Sequence, residues 1–163
     1  MKPLIIPIQN KYADEVIDLV LNIQQKEFNV PITIEDQPDL FNIKNFYYTD
    51  GGHFWGAFID DKLVGTIALV KFGDREAAIR KMFVKKEYRG KEFSIAQKLL
   101  ETLVNYSKET GIDDLYLGTV SILEAALRFY ERNHFIRVEK KSLPATFPVM
   151  SADNVFCHLK LKK

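Results

Sequence analysis

The chain has 163 residues, 47% hydrophobic and 28% charged. That length suits one domain of about 100–200 residues, and the composition is far from that of disordered chains. Its 23 Lys and Arg stand against 22 Asp and Glu, so no net field draws it to nucleic acid or to an anionic membrane. Cys157 is the lone cysteine and excludes an internal disulfide, while 12 Phe, 7 Tyr and one Trp supply a core that needs none.

Near the N-terminus, Leu4, Ile6 and Ile8 alternate between Pro3 and Pro7, the pattern of a short strand at a sheet edge, where a missing N–H is tolerated. That apolar run is too short for a secretory signal, and no stretch reaches the roughly 18 apolar residues of a membrane span. The expectation is a cytoplasmic protein with no membrane partner. Over residues 11–27, Ala13, Val16, Ile17, Val20 and Ile23 recur at helical spacing, with Asp14 and Glu15 in the first turn, where a helix favours negative charge. Asp36 then caps an expected second helix with Pro38 in its first turn, running through Leu40, Phe41 and Ile43.

Three strands follow, over residues 53–59, 63–70 and 77–84. The short polar turns between them, Asp60-Asp61-Lys62 and Gly73-Asp74-Arg75, imply an antiparallel meander. Residues 94–110 form the clearest helix. Ala96, Leu99, Leu100, Leu103 and Val104 share one face, and Gly111 is its stop. A strand over 114–119, a helix over 121–133 and strands over 135–139 and 154–161 complete the order βααβββαβαββ. The fold class is α/β in three layers: one domain over 1–163, a mixed, mostly antiparallel central sheet with helices on both faces, and a parallel pair joined through the helix at 94–110.

The stretch with chemical content is Ile79-Arg80-Lys81-Met82-Phe83-Val84-Lys85-Lys86-Glu87-Tyr88-Arg89-Gly90-Lys91-Glu92-Phe93-Ser94-Ile95-Ala96, a strand that runs through a basic turn into a helix. Free N–H groups and the positive dipole end make a helix start an anion site. Gly90, Ser94 and Ala96 are small enough for a phosphate to approach the backbone, and Lys85, Lys86, Arg89 and Lys91 add positive charge. An ordinary strand-to-helix turn with solvated lysines has the same sequence. His53, His134 and His158 are widely spaced, adjacent Cys157 and His158 point to opposite faces of a strand, and no metal site is expected. Gly51-Gly52 precedes a strand rather than a helix, a poor phosphate loop. No G-x-S-x-G elbow is present, which leaves a hydrolase without a nucleophile.

This arrangement resembles the GNAT superfamily of acetyl-CoA-dependent N-acetyltransferases over essentially the whole chain. The family's Q/R-x-x-G-x-G/A signature, whose amides hold the coenzyme A pyrophosphate, fits in two ways. Anchoring on Arg89 puts Glu92 and Ser94 at the small-residue positions; two extra loop residues instead bring Ser94-Ile95-Ala96 onto G-x-G/A and Leu99-Leu100 onto the paired leucines. A second landmark, A-x-x-x-Y-E-K-x-G-F, is similar to Ala126-Leu127-Arg128-Phe129-Tyr130-Glu131-Arg132-Asn133-His134-Phe135, with His134 in place of glycine and Leu123 in place of a frequent asparagine.

The resemblance implies that Tyr130 protonates the departing thiolate. On spacing alone, Tyr130 shares an apolar face with Leu123, Ala126 and Leu127 and reads as a core residue. The resemblance also implies a splay of the fourth and fifth strands, with coenzyme A held along Met82, Phe83 and Val84 and at Arg89, Gly90, Lys91, Ser94, Ile95 and Ala96. Acetyl-CoA is then the acyl-donor cosubstrate, with no metal, and the partner is a small-molecule or peptide amine, in a monomer or a homodimer. The acceptor enters near Leu117-Gly118-Thr119, residues 29–50 and residues 142–152. Glu35, Asp36 and Asp39, near Phe41, Phe46, Tyr47 and Tyr48, either cap a helix or hold a cationic amine. Glu35, Asp36 or a relayed water serves as base, and backbone N–H groups near Phe83 or Val84 polarise the thioester carbonyl. A non-catalytic acyl-CoA-binding module is the alternative function.

Overall fold

The computed structural model describes residues 2–90, 92–150 and 152–161. Seven strands form one sheet in the spatial order β1-β2-β3-β4-β5-β7-β6. The first four are β1 (Leu4–Pro7), β2 (His53–Ile59), β3 (Lys62–Lys71) and β4 (Glu76–Val84), a plain antiparallel series. Proline-flanked β1 lies at the edge, with Pro7 opposite Trp55. The β2–β3 turn is as tight as a hairpin allows: Ile59 pairs with Lys62, and Asp60 and Asp61 both take positive φ, at 50° and 64°. Aspartate tolerates that conformation where a bulkier residue would not.

Helix α2 (Ile95–Glu109) carries the chain from β4 to β5 (Asp114–Thr119), which pairs parallel to β4. The apolar stripe read from the sequence is the buried one, with Leu99, Leu100 and Leu103 at 2% exposure or less. Gly111 ends the helix at φ +83°, as an L-residue would only with strain. Helix α3 (Glu124–Arg132) follows, and then β6 (Ile136–Val138) and β7 (Val155–Lys160). The later strand, β7, inserts between β5 and β6.

Two packed layers result. Helix α2 and Tyr130 and Phe135 from the α3 region cover one face of the sheet, over Trp55, Ile67, Leu69, Ile79, Leu115 and Leu117. Helix α1 (Ala13–Leu21) covers the other face through Val16, Leu19 and Val20, joined by Ile23, Leu40, Ile43 and Tyr47.

The second expected helix is absent as such. In its place are 3-10 turns at Ile34–Asp36 and Pro38–Phe41 and a π-helical turn at Lys44–Tyr48. Asp36 does cap, but from inside the first turn: its carboxylate accepts from the amide and hydroxyl of Thr33. The helix expected over 11–27 also divides, since α1 passes at Asn22–Glu27 into a π-helical stretch.

Candidate active site

The parallel pairing of β4 with β5 ends at Ile79 and Leu117, although both strands continue. The cause is a bulge in β4. Ile67 of β3 is skipped in the register, Lys81 takes φ +53°, and the Thr66 hydroxyl fixes the bulge by donating to the Lys81 carbonyl at 2.7 Å. An extra residue bends a strand and re-aims the side chains beyond it. Beyond Ile79, β4 turns away from β5, and a cleft of about 140 Å³ opens between them. Met82, Phe83, Gly118, Thr119, Leu123, Ala126, Tyr130 and Asp153 are among the residues that line it.

Of the residues expected to hold coenzyme A, Met82 and Phe83 line this cleft on an edge of β4 that has no strand partner toward β5. Val84 lies beyond it; its side chain packs under α2 and its carbonyl accepts from Arg89 Nε at 2.8 Å. Arg89 is exposed but not free: its guanidinium forks onto the Glu27 carboxylate and lies 5.7 Å from the Phe28 ring centre. This side chain therefore ties the basic turn to the stretch after α1 rather than standing free for a phosphate.

Gly90, at φ +111°, is exposed. Lys91 lies outside the described residues. Ser94 starts α2 in the left-handed region, at φ +51°, and its amide donates to the Gly90 carbonyl. Ile95 contributes its side chain to the core at 1% exposure, while Ala96 is half-buried. Since α2 begins at Ile95, the amides of its first turn have no acceptor inside the helix and remain suited to an anion through backbone alone.

Tyr130 is 5% exposed, its ring set edge-on to Phe129 and Phe135. Its hydroxyl has no hydrogen bond among the described residues, yet no fully buried side-chain oxygen or nitrogen there lacks a partner. The hydroxyl is thus the part of Tyr130 that reaches open space, and that space is the cleft. Burial pushes its pKa well above the ordinary phenol value, with Cys157 and Asp153 adding to the rise. The core reading and the functional reading describe two ends of one side chain.

The acceptor side holds groups that the sequence did not single out. Because of the bulge, adjacent Arg80 and Lys81 both face the layer built by residues 34–48. Lys81 is buried, donates to Gln37 Oε1 at 2.5 Å and stands 3.7 Å from the Asp39 carboxylate. Asp39 also accepts from the Tyr47 hydroxyl, and Gln37 donates to Gln24 Oε1 at 2.9 Å. Burial pulls the Lys81 ammonium down to about 8, against the opposing pull of Asp39. Arg80 is half-buried, with its charge 6.0 Å from the Phe46 ring centre and one donor on the Met150 sulfur. Of the acids and aromatics of residues 35–48, Asp39 and Phe46 thus face cations of the protein itself, while Asp36 caps at Thr33 and Glu35 is exposed.

Asp153 lies just before β7, with its carboxylate against β5. A Cβ on Gly118 would lie 2.4 Å from its Oδ2, so glycine there lets the acid sit as it does and any larger residue would make it shift. Burial pushes its pKa up to about 6, while Arg80 and Lys81 draw it back. Among the described residues nothing donates a hydrogen bond to this carboxylate. The one signal in the sequence was a glycine inside a strand, Gly118, which marks a close approach without naming what approaches.

The sequence profile of the Acetyltransferase (GNAT) family matches residues 17–135. A GNAT-family acetyltransferase from Staphylococcus aureus Mu50 superposes with a TM-score of 0.95 at 40% identity, covering 98% of this chain and 99% of that one. The PaiA N-acetyltransferase of Thermoplasma acidophilum, solved in complex with coenzyme A, has the same fold at a TM-score of 0.72 and 18% identity, covering 98% and 99%. Among curated proteins, "Probable N-acetyltransferase camello" of Xenopus tropicalis is 30% identical over 110 residues, 66% of this chain and 49% of that protein. The chain spans about half the length of this and similar curated relatives. With the profile covering well over half of its residues and the splayed strands in place, the chain belongs to the GNAT acetyltransferase family.

Proposed function

We propose that this protein is an N-acetyltransferase that moves the acetyl group of acetyl-CoA to an amine by direct attack in a ternary complex. The observation that carries the reading is the cleft at the β4–β5 splay, which places an unpaired strand edge, a phenol and a carboxylate around one space. The PaiA relative, solved with coenzyme A, supports the choice of donor.

Residues Met82 and Phe83 offer backbone groups to the donor's arm, and the first-turn amides of α2 offer an anion site to its pyrophosphate. The unpaired β4 edge supplies N–H groups toward the thioester oxygen. Asp153 accepts the proton that the amine must lose, an assignment that replaces Glu35, Asp36 or a relayed water as base. A lysine-like amine of pKa about 10.4 is neutral only about once in a few thousand molecules at pH 7, so a carboxylate that ionises near pH 6 is a useful acceptor. The amine's lone pair forms the new C–N bond, the C–S bond breaks, and Tyr130 gives its proton to the leaving sulfur. No metal enters, and no acyl group passes through the protein.

The test is thiol release from acetyl-CoA on addition of an amine panel, with the N-acetylated product identified by mass. Release that requires both substrates supports the reading. Acetyl-CoA bound without turnover of any amine instead favours a non-catalytic acyl-CoA-binding module.

A further inference from the structure

Resting on the acyl-transfer reading above, we infer that the acceptor is an amine that also carries a carboxylate, its acid group held by Arg80 and its nitrogen facing Asp153. Four charged side chains stand on this side of the cleft, and two of them satisfy each other: Lys81 sits between Asp39 and Gln37. The other two are left without such partners. Arg80 forms no ion pair within 4.0 Å among the described residues, and its one hydrogen bond is to a thioether, a weak acceptor. Among the described residues Asp153 receives no hydrogen bond, and Arg80 and Lys81 act on it only at a distance.

Unpaired charges in a half-buried site are costly, and a ligand that pairs both removes that cost. The rigid guanidinium fork matches a carboxylate in two parallel hydrogen bonds, and Phe46 backs it. A zwitterion with its ammonium on Asp153 and its carboxylate on Arg80 completes both. A polyamine does the reverse, bringing extra ammonium groups up to Arg80 and Lys81. The bulge at Lys81 makes this selectivity possible, since regular pleating would send Arg80 and Lys81 to opposite faces.

The experiment uses the full chain with acetyl-CoA and pairs of acceptors: the common amino acids, β-alanine and γ-aminobutyrate against their carboxamides, with spermidine as the polyamine. Rates are compared per free amine. At least one carboxylate-bearing amine should exceed both its carboxamide and spermidine by tenfold or more in kcat/KM. Arg80→Gln should collapse that ratio to within about threefold, and Arg80→Lys should restore part of it. A ratio that survives in folded Arg80→Gln overturns the inference, as does a carboxamide or polyamine that performs as well as the acid. If Arg80→Gln does not fold, the parent protein's ratio decides. Acetyl-CoA binding followed by calorimetry separates the two failures. Without it the acyl-transfer reading falls; with it, and turnover of a carboxamide or spermidine but of no carboxylate-bearing amine, only the inference falls, and with no amine turned over both fall.

Discussion

Tyr130 and Asp153 divide the proton work of the proposed reaction, and each has a conservative replacement that keeps its shape. Tyr130→Phe removes a hydroxyl that has no hydrogen bond among the described residues, so packing against Phe129 and Phe135 persists. Proton transfer by a positioned side chain contributes about 10²- to 10⁴-fold. A thiol of pKa near 8.5 already leaves tolerably, which favours the low end. The expected result is a fall in kcat of about 10²-fold with acetyl-CoA affinity changed by less than about threefold; full kcat with a lower melting temperature would make Tyr130 a core residue alone. Asp153→Asn should act in two directions. Activity falls and the limb of kcat/KM near pH 6 disappears. Stability, in contrast, rises at pH 7, because a carboxyl raised from 3.8 to about 6 favours the folded state below pH 3.8 and loses that advantage as pH climbs through 6. After allowance for partial exposure the relief is about 1–2 kcal/mol, read as a urea midpoint that matches the parent at pH 4 and exceeds it at pH 7.

Elements were the most legible level. Short polar turns located β2, β3 and β4, and the stripe through Leu99 and Leu103 located α2, because such local signals are themselves the physical cause of those elements. Residues 34–48 failed the same reading. Asp36, Pro38 and the apolar run suggest one helix, but the chain must deliver Gln37, Asp39 and Tyr47 inward to Lys81, a tertiary demand that short turns meet and a straight helix does not. The bulge was invisible for a similar reason: nothing in Arg80-Lys81-Met82 announces a positive φ at Lys81, and without it Lys81 reads as a solvated strand residue. Tyr130 was legible through the family's landmark, whereas Asp153 reaches the cleft by contacts distant in sequence. His134 shows both effects. It holds φ +73° at the family's glycine position after α3, so His134→Gly should raise stability by about 1 kcal/mol by removing left-handed strain, seen as a higher urea midpoint. The start of α2 tests separately. Ser94→Asp sets a negative charge beside the proposed pyrophosphate site without offending the helix, and acetyl-CoA affinity should drop at least tenfold, about 1.4 kcal/mol. Unchanged affinity in calorimetry would remove this site.

At the scale of the whole molecule, the Lys81–Asp39 pair joins the sheet to the layer laid over it, and among the described ion pairs it alone is buried, at 5% and 4% side-chain exposure. Taking both charges out of water costs several kcal/mol each, largely offset by their attraction and by the hydrogen bonds to Gln37 and Tyr47. Breaking the pair from one side is therefore far worse than removing it. Lys81→Met leaves the Asp39 carboxylate buried against a phenol, at a cost of about 3–5 kcal/mol, a large share of the 5–15 kcal/mol that holds a domain together. Adding Asp39→Asn removes the stranded charge and should return most of the loss, since the amide still accepts from Tyr47. The pH response separates this account from simple loss of packing. An ammonium lowered from 10.5 to about 8 burdens the folded state below pH 8, and the burden lifts as pH rises from 8 toward 10.5. The parent protein should gain stability over that interval until tyrosine ionisation in the unfolded chain opposes it near pH 10, and the double variant should lack the gain. Urea midpoints at pH 7, 8 and 9.5 for the parent, Lys81→Met and the double variant decide the matter: a double variant no more stable than Lys81→Met would mean that the two layers are joined by shape, with the charges incidental.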